Sequence, residues 1–342
     1  DQHFEQDTSL SAQNYETVNK GRKKYDTSPK YKLNDLTPEV VHHMTGQVDV
    51  FSFLEVLIII CGGSIDLMTK TESKLTWLEE WLLFFQFKYG RTHIRWKDYG
   101  NTWDVRVATA RKIVRTKQRL KIAARGRWPA YASLDEDENL RDKRWNELVG
   151  VQKYRIIMHD NTNAGVLPNP PDAETNKATF GKYYNGNVAK GGVATQLCGW
   201  ERLLELYTGA VGDSNFIKAV KILELQENFA KHDVTICQDV IPFTNIFDKG
   251  YRLMLDCIAH GQTCWQPMFG SGNHRYSTFG VLLTALVAST RSGNERSVKK
   301  AKISRFIARG GFDGCSTFNT ELLADMWLSR GFIVNFTYAP VH

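Results

Sequence analysis

The sequence predicts an α/β protein in which a helical region precedes a mixed sheet with flanking helices. Apolar residues recur at helical spacing between residues 74 and 122, and from Tyr154 onward short apolar runs typical of buried strands alternate with helical segments. The chain has 342 residues, of which 42% are hydrophobic. That length suggests two domains, and that apolar content supports a sizeable core, so a wholly disordered chain is excluded.

Composition divides the chain into four segments. We expect residues 1–45 to form a polar, extended arm, residues 46–132 a helical and basic region, residues 133–150 an acidic linker, and residues 151–342 the second domain. Within the arm, the basic cluster KGRKKY at 20–25 has two interpretations. It is either a solvated tail or a patch for nuclear import or phosphate contact.

Membrane and disulfide proteins are disfavoured. The most apolar run, residues 51–61, contains Glu55 and is shorter than the roughly 20 residues of a membrane span. We interpret it as a buried core segment and expect no membrane partner. The six cysteines include no CxxC pair, which supports neither a zinc ribbon nor a disulfide scaffold, so we expect an intracellular protein.

The helical region carries the positive charge of the chain. Residues 71–130 contain 14 Lys and Arg against 5 Asp and Glu, whereas the remainder contains 30 against 32. A short helix, a turn at Gly100–Asn101 and a basic helix starting near Asp104 outline a helix-turn-helix, whose second helix enters the major groove of DNA. We expect DNA contacts from Arg106, Arg111, Lys112, Arg115, Lys117 and Arg119. The alternative is an exposed basic helix packed on the second domain.

In the second domain, alternating patterns predict an ordered series of elements. The series begins with a strand at 154–160, and Asp160 is its last residue. The elements that follow are strands at 193–198 and 203–207, a helix at about 214–231 with Asp213 or Ser214 as N-cap, a strand ending at Asp248, a strand at 264–269 and a helix over 276–306.

Three acids stand out in this series: Asp160 and Asp248 at strand ends, and Glu295 on the last helix. Carboxylate oxygens are the ligands that hard divalent cations prefer, and a pair of such cations can activate a nucleophile at a phosphodiester. Taken alone, the two aspartates could instead start turns, and Glu295 could be a surface acid.

One face of the last helix presents Glu295 among three cations. Arg291, Glu295, Lys299 and Lys302 fall at i, i+4, i+8 and i+11. This spacing suits an acid that faces metal beside cations that face DNA phosphates. An exposed ion-pair ladder fits the same spacing.

The order of strands, helices and acids is that of a ribonuclease-H-like nuclease fold. Several motifs also resemble the DDE superfamily endonuclease domain of eukaryotic transposases, of Harbinger-like type. They are NTN after Asp160, KATFGKYYNGNVAKGG (177–192), QLCGW (196–200), GAVGDSNF (209–216), PFTNIFDKGYR (242–252) and RSGNERSVKKAK (291–302). The upstream segment 75–92 resembles the helical region that precedes the nuclease in such elements, so the resemblance covers roughly residues 70–342.

The resemblance implies that Asp160, Asp248 and Glu295 are the catalytic and metal-binding acids of an endonuclease and strand-transfer enzyme. Its cofactors are expected to be two Mg²⁺ or Mn²⁺ ions, and its partners double-stranded DNA and a second copy of the chain. The expected location is the nucleus. Arg291, Lys299 and Lys302 are expected to contact DNA. Asp213 matches a motif position that is not a metal acid. The alternative is a domesticated relative that binds DNA or protein without cutting.

Overall fold

The structure is a computed structural model. It describes residues 32–47, 49–62, 71, 73–89, 96–123, 144–145, 147, 155–167, 170, 172–183, 185–232, 243–248, 251–267, 277–302 and 320–335. Contacts divide the chain between residues 128 and 129 into two compact units, each of which is described by itself. The sequence-predicted arm up to residue 31 and most of the linker lie outside the described residues.

The first unit is helical. Its helices are α1 (Pro38–Thr45), α2 (Val50–Ile60), α3 (Trp77–Tyr89), α4 (Trp96–Thr102) and α5 (Val107–Ala123). Helix α1 lies within the segment expected to be extended, because Thr37 caps its first turn and Gly46 ends it in the left-handed conformation at φ 73°. Within the described residues no single helix is long and apolar enough to cross a membrane, although α1 and α2 together, bent by 48°, pass a test of length and composition.

Aromatic side chains of α3 form the centre of this unit. Trp81, Phe84 and Phe85 are fully buried, and Phe85 meets Phe53 of α2 edge to face with ring centroids 5.3 Å apart. The segment expected to be buried at 51–61 forms helix α2, of which one face is buried, whereas Phe51 and Ile58 on the other face are exposed. The expected turn at Gly100–Asn101 is wrong: these residues belong to α4, and the chain turns just after it, where Asp104 adopts φ 49°.

The second unit is a mixed sheet with flanking helices, so the α/β class is confirmed. Its strands are β1 (Arg155–Val166), β2 (Phe180–Gly181), β3 (Gly186–Gln196), β4 (Glu201–Thr208), β5 (Phe243–Ile246) and β6 (Thr263–Trp265). Its helices are α6 (Ala173–Thr179), α7 (Asp213–Ala219), α8 (Ile222–His232), α9 (Met254–Ala259), α10 (Thr278–Lys302) and α11 (Thr320–Asn335).

Strand β1 lies in the middle of the sheet. It pairs antiparallel with β3, which pairs antiparallel with β4 and, at its first residues, with β2. On its other side β1 pairs in parallel with β5, and β5 in parallel with β6. The sheet is therefore antiparallel on one side of β1 and parallel on the other.

Alternation along β1 directs its side chains to two cores. Ile156 and Met158 pack with Leu286 and Val287 of α10 on one face. Ile157 belongs to the cluster on the opposite face, which includes the buried residues of α7 and α8. The helix expected over 214–231 is interrupted between α7 and α8, where Lys221 adopts φ 51°.

Candidate functional site

The register of β1 and β5 brings two of the predicted acids to neighbouring positions. Met158 is paired with Ile246, so Asp160 and Asp248 each lie two residues beyond the last paired position of adjacent parallel strands. The prediction that Asp160 ends its strand is wrong, because β1 continues to Val166 through its pairing with β3, and only its parallel pairing with β5 ends at Met158. Ligand sites commonly form where the parallel pairing of a sheet ends. The two acids lie 88 residues apart in the sequence, and only strand pairing makes them neighbours.

Helix α10 covers the face of the sheet to which these acids belong. Residues Ile156, Met158 and Ile246 pack against its first half, and a Cβ atom added at Gly293 would lie 3.6 Å from Met158 Cε. Further along, Ala301 packs near Ala164 of β1. The helix therefore follows β1 past Asp160, and its segment 291–302 is the part next to that acid.

Arg291 contacts one acid and influences the other. Its Nη1 atom lies 3.1 Å from Asp248 Oδ1, and the two side chains are 18% and 40% exposed. Burial raises the pKa of Asp160, and the negative charges of Asp248 and Asp213 act in the same direction. The backbone N–H of Asn161, which donates to Asp160 Oδ1 at 2.8 Å, and the charge of Arg291 lower that pKa.

Glu295 lies one helical turn after Arg291, on the same stripe of α10, and its side chain is exposed. Within the described part of the chain, no group of three or more His, Cys, Asp or Glu side chains is arranged to hold a metal ion. The structure thus brings Asp160 and Asp248 together but does not bring Glu295 into a three-acid group with them. Asp160 and Asp248 fit a hard divalent cation by their oxygen chemistry and their common edge.

The two lysines of the predicted stripe differ in their surroundings. Lys302 is half-buried; burial lowers its pKa, and the negative charge of Asp160 raises it. Lys299 is exposed, in a position compatible with either a phosphate contact or an ion-pair ladder.

A group that sequence reasoning missed lies on the other face of β1. Asp213 is the first residue of α7, whose N-cap is Gly212, so the predicted capping role of Asp213 or Ser214 is wrong. The Asp213 carboxylate instead lies 3.0 Å from Lys190 Nζ and accepts a hydrogen bond from Asn161 Nδ2 at 3.3 Å. Its spacing in the sequence gave no sign of these contacts, because they join three separate elements.

Tyr251 lies under the same edge. The side chain is 4% exposed, its ring stacks on Phe247 with centroids 5.4 Å apart, and its hydroxyl has no hydrogen-bond partner within the described structure. Burial raises its pKa, as do the charges of the three nearby aspartates. The phenol therefore lies close to the acids.

Two histidines of this unit, His159 and His260, each contact a polar side chain of the fold. His159 is fully buried, its Nε2 lies 2.7 Å from Asn245 Oδ1, and burial lowers its pKa to about 4. His260 Nδ1 lies 2.7 Å from Glu227 Oε2. Neither lies in a group of metal-ligating side chains, and His274 lies outside the described residues.

In the helical unit, most of the predicted DNA-binding side chains in α5 and just before it are accessible. The exposed ones are Arg106, Arg111, Lys112 and Arg115. Arg111 lies over the ring of Trp96, 5.4 Å from its centroid. The side chain of Arg119 lies outside what the structure describes.

Lys117 is a correction to the predicted set. Its side chain is fully buried, with Nζ 3.0 Å from Glu80 Oε2 and 4.9 Å from the centroid of the Trp81 ring. Burial lowers its pKa, and the Glu80 carboxylate opposes that shift. A lysine enclosed in this way belongs to the helical core and cannot reach a phosphate.

Comparison of the chain with protein-family models, with curated proteins and with solved structures found no match.

Proposed function

We propose that this protein is a transposase-like DNA endonuclease and strand-transfer enzyme whose acids are Asp160, Asp248 and Glu295. The observation that carries the proposal is the register of β1 and β5, which makes Asp160 (within β1) and Asp248 (two residues after β5) neighbours on the face of the sheet that the helix with Arg291 and Glu295 covers. Strand order supports a ribonuclease-H-like fold, since β1 has antiparallel neighbours on one side and parallel neighbours on the other.

In this proposal each side chain has a defined task. Asp160 and Asp248 would hold Mg²⁺ or Mn²⁺, with Glu295 joining them once α10 presents it to the same point. Ions held there would supply Lewis acidity for a water nucleophile and for the leaving oxygen of the phosphodiester. Asn161 fixes Asp160 through its backbone N–H, so that carboxylate is oriented before a cation arrives. Lys299 and Lys302 would neutralise phosphate charge.

DNA affinity is assigned to α5. Its exposed cations, with the shorter α4 before it, are compatible with a helix-turn-helix. Each phosphate neutralised by such a cation releases counterions, so affinity falls steeply with salt. Arg106, Lys112 and Arg115 are therefore proposed as phosphate contacts, and Lys117 is not.

The second candidate is a relative that binds DNA without cutting it. The observation that favours this reading is the arrangement at Asp248, whose carboxylate is in contact with Arg291 while no three-acid metal group is formed within the described residues. A protein of this kind would retain the basic helix and lack cleavage.

The experiment that separates the two candidates is Mn²⁺-dependent nicking of supercoiled plasmid. The full chain should nick DNA, and Asp160→Asn and Asp248→Asn should each lower the rate at least about a hundredfold while salt-dependent DNA binding is retained. Glu224→Gln serves as the control, because Glu224 is an exposed acid that contacts only Lys221 within the described residues. Nicking that is absent, or equally fast in the Asp160→Asn protein, would leave the binding protein as the answer.

A further inference from the structure

The Arg291 side chain faces two of the proposed cation ligands at once. Its guanidinium contacts Asp248 at 3.1 Å, and its charge also lowers the pKa of Asp160. One guanidinium therefore places positive charge next to both carboxylates. The side chain is mostly buried, so solvent screens this interaction less than it would at an open surface.

The contact with Asp248 leaves at least one N–H donor of the guanidinium without an acceptor within the described residues. The Nε atom of Arg291 is buried and has no hydrogen-bond partner within the described part of the chain. A guanidinium has five donors in a fixed fork, and phosphate can accept two of them side by side. Arg291 thus retains donor capacity that a phosphate at this edge could use.

We propose that Arg291 competes with divalent cations for Asp248, and that cation binding transfers its guanidinium to a DNA phosphate. This inference rests on the proposed function, because it takes Asp160 and Asp248 as the cation ligands. Without a cation, Arg291 offsets the repulsion between the two carboxylates. With a cation on the same oxygens, the guanidinium is repelled from them and free to meet the phosphate.

The competition has a thermodynamic consequence. A cation that binds Asp248 Oδ1 must displace Arg291 from that oxygen, so the native ion pair weakens the apparent affinity for the cation. A phosphate that accepts the displaced guanidinium restores this affinity, and the coupling is reciprocal: DNA tightens cation binding by the same factor by which the cation tightens DNA binding.

The first test measures Mn²⁺ affinity of the full chain by titration calorimetry without DNA. Asp160→Asn identifies the site by removing it. Arg291→Gln should bind Mn²⁺ at that site about three- to tenfold more tightly than the natural protein. Arg296→Gln removes the same charge from an exposed position on the same helix, where the Arg296 side chain donates a hydrogen bond to Ser292. This variant should leave the Mn²⁺ affinity unchanged.

Arg291→Lys keeps the charge and gives a second variant if the glutamine protein folds poorly. Lysine lacks the forked donor geometry, so we expect an affinity between those of the natural protein and Arg291→Gln. Equal or weaker Mn²⁺ binding in the variants that fold overturns the competition. So does the absence of any Mn²⁺ site that Asp160→Asn removes, which also removes the cation from the proposed function.

The second test adds short duplex DNA. In the natural protein, Mn²⁺ should tighten DNA binding, whereas Arg291→Gln should lose most of that enhancement and Arg296→Gln should keep it. Enhancement that survives in Arg291→Gln overturns the transfer to phosphate. Tighter Mn²⁺ binding by Arg291→Gln together with no nicking by the natural protein supports the competition and rejects only the endonuclease.

Discussion

Lys190 Nζ lies 3.0 Å from Asp213 Oδ1, on the face of β1 opposite to α10. The same carboxylate accepts from Asn161, whose backbone N–H orients Asp160. These contacts therefore join β1, next to Asp160, to α7 on the face of the sheet opposite to α10.

Asp213→Ala should lower Mn²⁺-dependent nicking about tenfold or more, because groups that orient a ligand are commonly worth that much. Asp213→Asn keeps an acceptor for Asn161 and should restore most of the rate. Asp256→Ala is the matched control, because Asp256 of α9 also forms an ion pair with a lysine, Lys218, at 3.0 Å. Nicking rates would be measured beside thermal unfolding. Equal losses of rate and stability in Asp213→Ala would mean that the residue only supports the fold.

The buried pair in the helical unit gives a stability prediction. Lys117→Met should reduce the free energy of unfolding by about 3–5 kcal/mol, because it leaves the Glu80 carboxylate buried without its cation. The double change Glu80→Gln with Lys117→Met should recover much of that loss. Arg115→Gln, on the exposed side of the same helix, should stay within about 0.5 kcal/mol and weaken DNA binding instead. Urea denaturation and DNA titration measure the two effects, and a Lys117→Met protein that is stable but binds DNA poorly would contradict the assignment.

Two glycine changes, one where β3 approaches α11 and one inside α10, should have opposite effects on the free energy of unfolding. A Cβ atom at Gly191 would lie 2.5 Å from Trp327 Cε2, and that indole is held by its N–H bond to the Leu204 carbonyl at 2.8 Å. Gly191→Ala should therefore destabilise the protein by about 1–3 kcal/mol. Gly293→Ala, inside α10, meets only ordinary contacts and should stabilise the protein by up to about 1 kcal/mol. Thermal unfolding should give shifts of opposite sign.

Glu201 predicts a pH dependence of stability. Burial raises its pKa to about 8, against the opposing influence of the Ser297 hydroxyl and the charges of Lys300 and Arg330. Because the folded pKa exceeds the unfolded value near 4.5, the native state holds the extra proton. The contribution of Glu201 to the free energy of unfolding is complete below about pH 4.5 and is lost as the pH rises towards 8.

Glu201→Gln should flatten the decline in melting temperature between pH 4.5 and 8. Glu205→Gln changes an exposed acid of the same strand and should leave the decline as it is. A decline that persists unchanged in Glu201→Gln would assign the pH dependence to other groups.

Periodicity located most of the elements around the site. The runs that predicted β1, β3 and β4 coincide with strands, and the helix over 276–306 coincides with α10. Local pattern succeeds here because alternation and helical spacing reflect burial on one face of a single element. It failed at Asp213, because the same residue type can cap a helix or pair with a distant lysine.

The spacing of apolar residues in the sequence indicates that Lys117 is buried. Ala110, Ile113 and Val114 are buried, and position 117 continues their stripe at helical spacing. Glu80 lies in the same way among Trp77, Trp81 and Phe84 of α3. Two opposite charges on two apolar stripes indicate a buried pair, whereas counting positive residues alone assigns every lysine to the surface.

The sequence by itself determined the α/β class, most helices and strands, and the position of Asp248 just after a strand. Only the tertiary structure decided that Asp160 and Asp248 are neighbours, that Arg291 contacts one of them, and that Lys117 is enclosed. The physical reason is that local spacing constrains one element at a time. Contacts between residues 88 positions apart depend on strand register and on packing between elements, which the spacing of residues along the chain does not encode.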